Sequence, residues 1–101
     1  FKKRRDYMVQ RLNAMPGIAC LKAQGAFYVF PDVSALYGQS VSGALIKDSL
    51  SLSELLLEQA RIAVVPGVAF GADKNIRLSY ACSMRNIEQG LDRLETFLKG
   101  I

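Results

Sequence analysis

Histidine and tryptophan are missing from this 101-residue chain, which also holds only two cysteines and three prolines. Without histidine there is no Ser-His-Asp triad, and most zinc sites lose a principal ligand. Cys20 and Cys82 stand far apart with no CxxC or comparable spacing, so reduced thiols are expected rather than a disulfide or a metal centre. No apolar run approaches the twenty or so residues of a membrane span, and no signal-peptide pattern occurs, so no membrane partner is expected. The stretch "VVPGVAFGADKN" carries Gly67 and Gly71 but neither the GK[ST] ending of a phosphate loop nor GxGxxG spacing.

What is present is core-forming material. Half of the residues are hydrophobic and 22% are charged, composition suited to one domain. A chain of this size buries roughly two thirds of its unfolded surface. The net charge is +4, and four of the thirteen cations adjoin in Lys2-Lys3-Arg4-Arg5. Such a run fits a solvated helix face, and it also keeps a small basic nucleic-acid-binding module open as an alternative function.

Apolar positions Phe1, Met8, Leu12 and Met15 follow helical spacing up to the stop at Pro16-Gly17. That helix opens on cations without a cap, against its dipole, so the chain is expected to begin inside a longer helix and to be a piece of a larger protein. Ile18 to Leu21 and Ala26 to Phe30 are strand candidates, expected to form a hairpin through Lys22 to Gly25. Val33 to Asp48 reads as a long irregular connection. Ser51-Leu52-Ser53-Glu54 matches a capping box for a helix from about Leu52 to Ala60. Arg61 to Val65 reads as a buried strand ended by Pro66-Gly67, and "NIRLSYA" as a half-buried strand with Ile76, Leu78 and Tyr80 on one face and Arg77, Ser79 and Ala81 on the other. Ser83 caps a last helix whose stripe is Met84, Ile87, Leu91, Leu94 and Leu98. The class is α+β: a small, mainly antiparallel sheet of three to four strands packed with helices.

Chemistry-bearing residues are few. Cys82 at a helix start lacks a base, and burial is a cysteine's usual fate. "GAFYVF" departs from the RNA-recognition signature in its missing cation and its aromatic spacing, so core and packing roles fit its aromatics better. Arg77 reads either as a solvated strand residue or as a receptor for a carboxylate, since its planar fork pairs both oxygens of one.

Taken together, "GAFYVFPD" at Gly25 to Asp32, "AVVPGVAFG" at Ala63 to Gly71 and "IRLSYACS" at Ile76 to Ser83 resemble the C-terminal small domain of class I pyridoxal-phosphate-dependent aminotransferases, and within them the bacterial and plant aspartate aminotransferase type. The resemblance spans essentially the whole chain, residues 1–101. It implies that Arg77 binds the α-carboxylate of an amino-acid substrate, that Phe27 lies near the same carboxylate, and that the Gly67 loop approaches the cleft. It departs from the family in a short Phe70 to Arg77 connection and in Cys82, where threonine is frequent. It further implies pyridoxal 5'-phosphate held by a large domain outside this sequence, because none of the six lysines stands in a matching context. No catalytic, cofactor-binding or metal-binding residue is therefore assigned to this piece, which alone is expected to be inactive. The implied partners are amino-acid and 2-oxo-acid substrates, with no nucleic acid. The parent is expected to be a cytoplasmic homodimer, or plastidic if from a plant, and a monomeric state for the piece alone stays open. A non-catalytic, ligand-sensing relative of the same fold is the remaining alternative.

Overall fold

The computed structural model describes residues 2–21, 28–79 and 83–101. Helix α1 (Lys2–Asn13) buries Met8, Val9 and Leu12, and has no acidic residue in its first turn. Lys2 and Lys3 are exposed, whereas Arg4 and Arg5 are half-buried and Arg5 pairs with Asp6 at 3.3 Å. Helix α3 (Met84–Leu98) begins as its sequence dictates, with the Ser83 Oγ accepting from the Asn86 N–H at 3.2 Å. It buries Ile87, Leu91, Leu94 and also Phe97, which continues the stripe one position before Leu98. The two helices pack together and are tied by Arg11, which reaches Asp92 at 2.9 Å and Glu95 at 3.4 Å.

Three strands form the main sheet in the order β1 (Tyr28–Val29), β5 (Ile76–Ser79), β4 (Val65–Pro66), antiparallel throughout. Strand β5 is central, its Ile76 and Leu78 buried, Arg77 half-buried and Ser79 exposed, the alternation expected of it. Tyr80, Ala81 and Cys82 lie outside the described residues, as does the turn of the expected first hairpin. On the described side of that hairpin, Ala19 and Asp32 exchange backbone bonds of 3.0 and 2.7 Å, but the rest of Ile18 to Leu21 does not extend the sheet. On the opposite edge the Asn13 amide takes the Cys20 N–H and donates to the Cys20 carbonyl, both at 2.8 Å, standing in for a neighbouring strand.

Three further expectations are corrected. The connection after Val33 is not irregular: a single 3₁₀ turn (Ser34–Leu36) precedes a hairpin of β2 (Ser40–Val41) and β3 (Ala44–Leu45). Its two turn residues, Ser42 and Gly43, both have positive φ, 51° and 81°, the combination that matches strand twist in a two-residue loop. Helix α2 (Ser49–Leu55) starts earlier than Leu52, because the capping box is Asp48 with Ser51: Asp48 accepts from the Ser51 N–H at 2.8 Å and Ser51 Oγ accepts from the Asp48 N–H at 3.0 Å. A π-turn (Leu56–Ala60) follows, ended by Arg61 in the left-handed region at φ 58°. That reversal keeps Arg61 to Val64 out of the sheet, and of the expected strand only Val65 pairs with β5, extended instead by Pro66.

One apolar cluster binds these pieces, with Leu12, Val29, Ile46, Leu52, Leu56, Ile76 and Leu91 almost fully enclosed. Full burial of each such side chain contributes about 1.5–3 kcal/mol. No helix among the described residues is long and apolar enough to cross a membrane.

Candidate functional site

The register of the main sheet decides what Arg77 can meet. Tyr28 pairs with Ser79 and Val29 with Leu78, while Val65 pairs with Arg77 and Pro66 with Ile76. Side chains alternate across a strand, so Val29, Leu78 and Ile76 go to the core, and Tyr28, Val65, Arg77 and Ser79 share the opposite face. The Asp32–Asn75 bridge keeps the same register, which sets Phe30 across from Arg77 on that outer face. The Asn75 side chain fixes this spacing by donating to the Phe30 carbonyl at 2.9 Å.

Aromatic rings surround the guanidinium. The Arg77 Cζ lies 4.8 Å from the centroid of Tyr28 and 4.8 Å from that of Phe70. Phe30 meets Phe70 edge to face, centroids 6.1 Å apart and planes at 80°. Tyr28, Phe30, Phe70 and Arg77 together line a small cavity of about 130 Å³. Two larger depressions, of about 490 and 570 Å³, lie elsewhere, and neither joins a cation to a cluster of aromatic faces.

Phe70 arrives on a 3₁₀ turn (Gly67–Phe70) whose shape demands a glycine at its start. A Cβ on Gly67 would stand 2.0 Å from the Ala72 carbonyl oxygen and 2.2 Å from that of Asn75. The Gly67 N–H donates to Asn75 at 2.7 Å and the Ala72 N–H to Gly67 at 2.9 Å, so the loop folds back on its own backbone. The close approach seen at Gly67 is that of the loop to its own backbone. Helix α2 anchors the other side: the fully buried Ser49 hydroxyl donates to Asp73 at 2.8 Å and accepts from the Val68 N–H at 3.1 Å. The Tyr37 hydroxyl donates to the Asp73 carbonyl at 2.5 Å. Desolvation, followed by the charges of Asp73, Asp48 and Asp32, pushes the Tyr37 phenol up to about 12, so it stays a neutral donor.

Arg77 differs sharply from Arg11. Arg11 donates to Tyr7, Asp92 and Glu95 and is a structural cation. Arg77 touches ring faces, and no described carboxylate pairs with it. A guanidinium stacked on rings keeps its N–H donors, which lie in its plane, for an anion.

Of the two residues singled out from the sequence, Arg77 is placed in this cluster, and Phe27 lies outside the described residues. Tyr28 and Phe30 correct an expectation: they line Arg77 on the outer face and do not fill the core. Phe70 was not expected at the site at all. The alternation of "FYVF" gave the shared face of Tyr28 and Phe30, but only the register shows that Arg77 is on it. The described cysteine, Cys20, is a core residue whose thiol burial pushes up to about 11, protonated and unreactive. Among the described residues no group of three His, Cys, Asp or Glu side chains could hold a metal.

The family model for aminotransferase class I and II matches residues 1–94. The chain belongs to that family. It is 46% identical over its full length to a probable aspartate/prephenate aminotransferase of Aquifex aeolicus and 44% identical over 97% of its length to an aspartate aminotransferase of Pinus pinaster. It spans 24% and 20% of those two proteins. Among solved structures, the aspartate aminotransferase of Rhizobium meliloti superposes with a TM-score of 0.95 at 36% identity, over 98% of this chain and 25% of that one. The aspartate aminotransferase of Thermus thermophilus with maleate superposes with a TM-score of 0.78, also at 36% identity, over 95% and 22%. The chain therefore corresponds to about a quarter of such enzymes, and its small antiparallel sheet with three α-helices is the α+β architecture expected.

Class I aminotransferases imply pyridoxal phosphate. Among the described residues, the cavity beside Arg77 offers one guanidinium and three aromatic rings, with no amine to form an imine and no cluster of donors for a phosphate. These four residues do not fit the cofactor.

Proposed function

We propose that this chain is the substrate-carboxylate-binding and closing domain of a pyridoxal-phosphate-dependent transaminase, which moves an amino group between an amino acid, aspartate foremost, and a 2-oxo acid. The observation that carries the reading is the Arg77 guanidinium, packed against the rings of Tyr28 and Phe70 and without an acidic partner among the described residues. A permanently charged fork recognises the one anionic group that every α-amino acid shares, and it orients the rest of the molecule about two parallel hydrogen bonds. The aromatic surroundings lower the local dielectric and strengthen that pairing. Maleate, with which the Thermus thermophilus aspartate aminotransferase was solved, is a carboxylate, and that enzyme superposes on nearly all of this chain, which supports the assignment. The cofactor, supplying the electron sink, belongs in this reading to the large domain, as does recognition of the substrate's side chain.

The test is Arg77→Ala in the intact protein. Breaking a desolvated, hydrogen-bonded charge pair costs about 2–5 kcal/mol. The kcat/KM for amino-acid substrate should therefore fall at least about thirtyfold, with the cofactor's absorbance unchanged. A variant with near-parental kcat/KM would refute the assignment.

A further inference from the structure

Phe70 is 52% exposed, yet its ring is not loose. It lies against the Arg77 guanidinium on one hand and the edge of Phe30 on the other. The loop beneath it is fastened through the Gly67 N–H to Asn75, the Ala72 N–H to Gly67, and the Ser49 hydroxyl to both Val68 and Asp73. A short loop with this many anchors holds an aromatic face at a fixed place over a cation. An arginine side chain free in solvent samples many rotamers and must give them up to bind an anion, whereas one already stacked has lost them during folding.

We propose that Phe70 is a positioning residue for the carboxylate receptor: together with Tyr28 it confines the Arg77 guanidinium so that its N–H edge is presented to the ligand in one orientation. The inference rests on the reading of Arg77 given above. It assigns the "PGVAF" segment a binding role that works through Arg77. Ser49 and Asp73 serve the same end at one remove, since they hold the loop that holds the ring.

The experiment uses the intact, cofactor-loaded protein with maleate as probe, and compares Phe70→Leu with Phe70→Trp. Leucine keeps an apolar side chain but has no π face, whereas tryptophan offers the strongest cation-binding face. Phe70→Leu should raise the maleate dissociation constant about tenfold, equivalent to about 1.4 kcal/mol, and Phe70→Trp should stay within about threefold of the parent. Amide hydrogen exchange at Ala72 should be unchanged in both, showing the loop intact. Unchanged maleate affinity in Phe70→Leu would overturn the proposal. So would a tryptophan variant as weak as the leucine one, or protection at Ala72 falling in step with affinity. If Arg77→Ala itself binds maleate like the parent, the carboxylate reading fails and this inference with it; if that variant loses binding while Phe70→Leu keeps it, only the role of Phe70 is lost.

Discussion

Replacing Gly67 by alanine adds one carbon at a place where the backbone leaves no room. The new Cβ would stand 2.0 and 2.2 Å from the Ala72 and Asn75 carbonyl oxygens, about an ångström inside the 3.0 Å limit of real contacts. Both obstacles are main chain, so no side-chain rotation relieves them. The loop has to open, and the Gly67 N–H to Asn75 bond of 2.7 Å and the Ala72 N–H to Gly67 bond of 2.9 Å stand to be lost. Each contributes about 0.5–1.5 kcal/mol net, and forcing a methyl group into a packed site costs about 1–3 kcal/mol. Together these amount to about 2–6 kcal/mol of local destabilisation. Native-state hydrogen exchange reads this directly: the amides of position 67 and Ala72 should lose protection by at least about thirtyfold. The same loop carries Phe70 to Arg77, so maleate binding should weaken in parallel. Parental protection at both amides in Gly67→Ala would refute the account of the loop, whatever the activity.

Two further outcomes follow from the hydrogen bonds around the site. Ser49→Ala removes the acceptor of the Val68 N–H and one donor to Asp73, and should cost about 1–3 kcal/mol, toward the low end because Val68 is half exposed, measured by urea denaturation. Asp32 accepts from the Ser34 hydroxyl at 2.7 Å and the Ser34 N–H at 2.9 Å, which holds its carboxyl below the ordinary value, with Lys74 adding to the effect. A folded-state pKa lower than the unfolded one contributes stability that is complete above the unfolded value, near pH 4, and is lost as pH falls through the folded one. Asp32→Asn should therefore melt below the parent at pH 7, and the gap should close in acid; a gap independent of pH would sink this assignment.

How far the sequence reached depended on the range of the forces involved. Helix α3 was legible except for Phe97 in its buried stripe, because its cap, Ser83, and its apolar spacing are local signals that agree. The same holds for β5, whose alternation survives in Ile76, Arg77, Leu78 and Ser79. The start of α2 was misread since "DSLS" and "SLSE" are both acceptable boxes; what favours the first is Ser49 meeting Asp73, 24 positions away. The β2–β3 hairpin was missed although Ser42-Gly43 is a turn signal, because its strands are only two residues long. Arg61 to Val65 looked like a strand by composition, but composition does not reveal a left-handed residue at its start. Arg77 itself was found by resemblance and placed by alternation. Its aromatic surroundings came from Tyr28 and Phe70, which are brought to it by register and by a glycine turn, neither written in any local pattern.

The position of β5 between two partners has a mechanical consequence. An edge strand pulled by one side chain peels away, one ladder bond at a time. A load applied at Arg77 is instead shared by Val65 on one border and by the Tyr28–Asp32 segment on the other, with Ile76 and Leu78 rooted among helices beneath. In the proposed role, tension from a bound carboxylate would therefore be passed to the whole body together, as a hand on a central beam moves a frame.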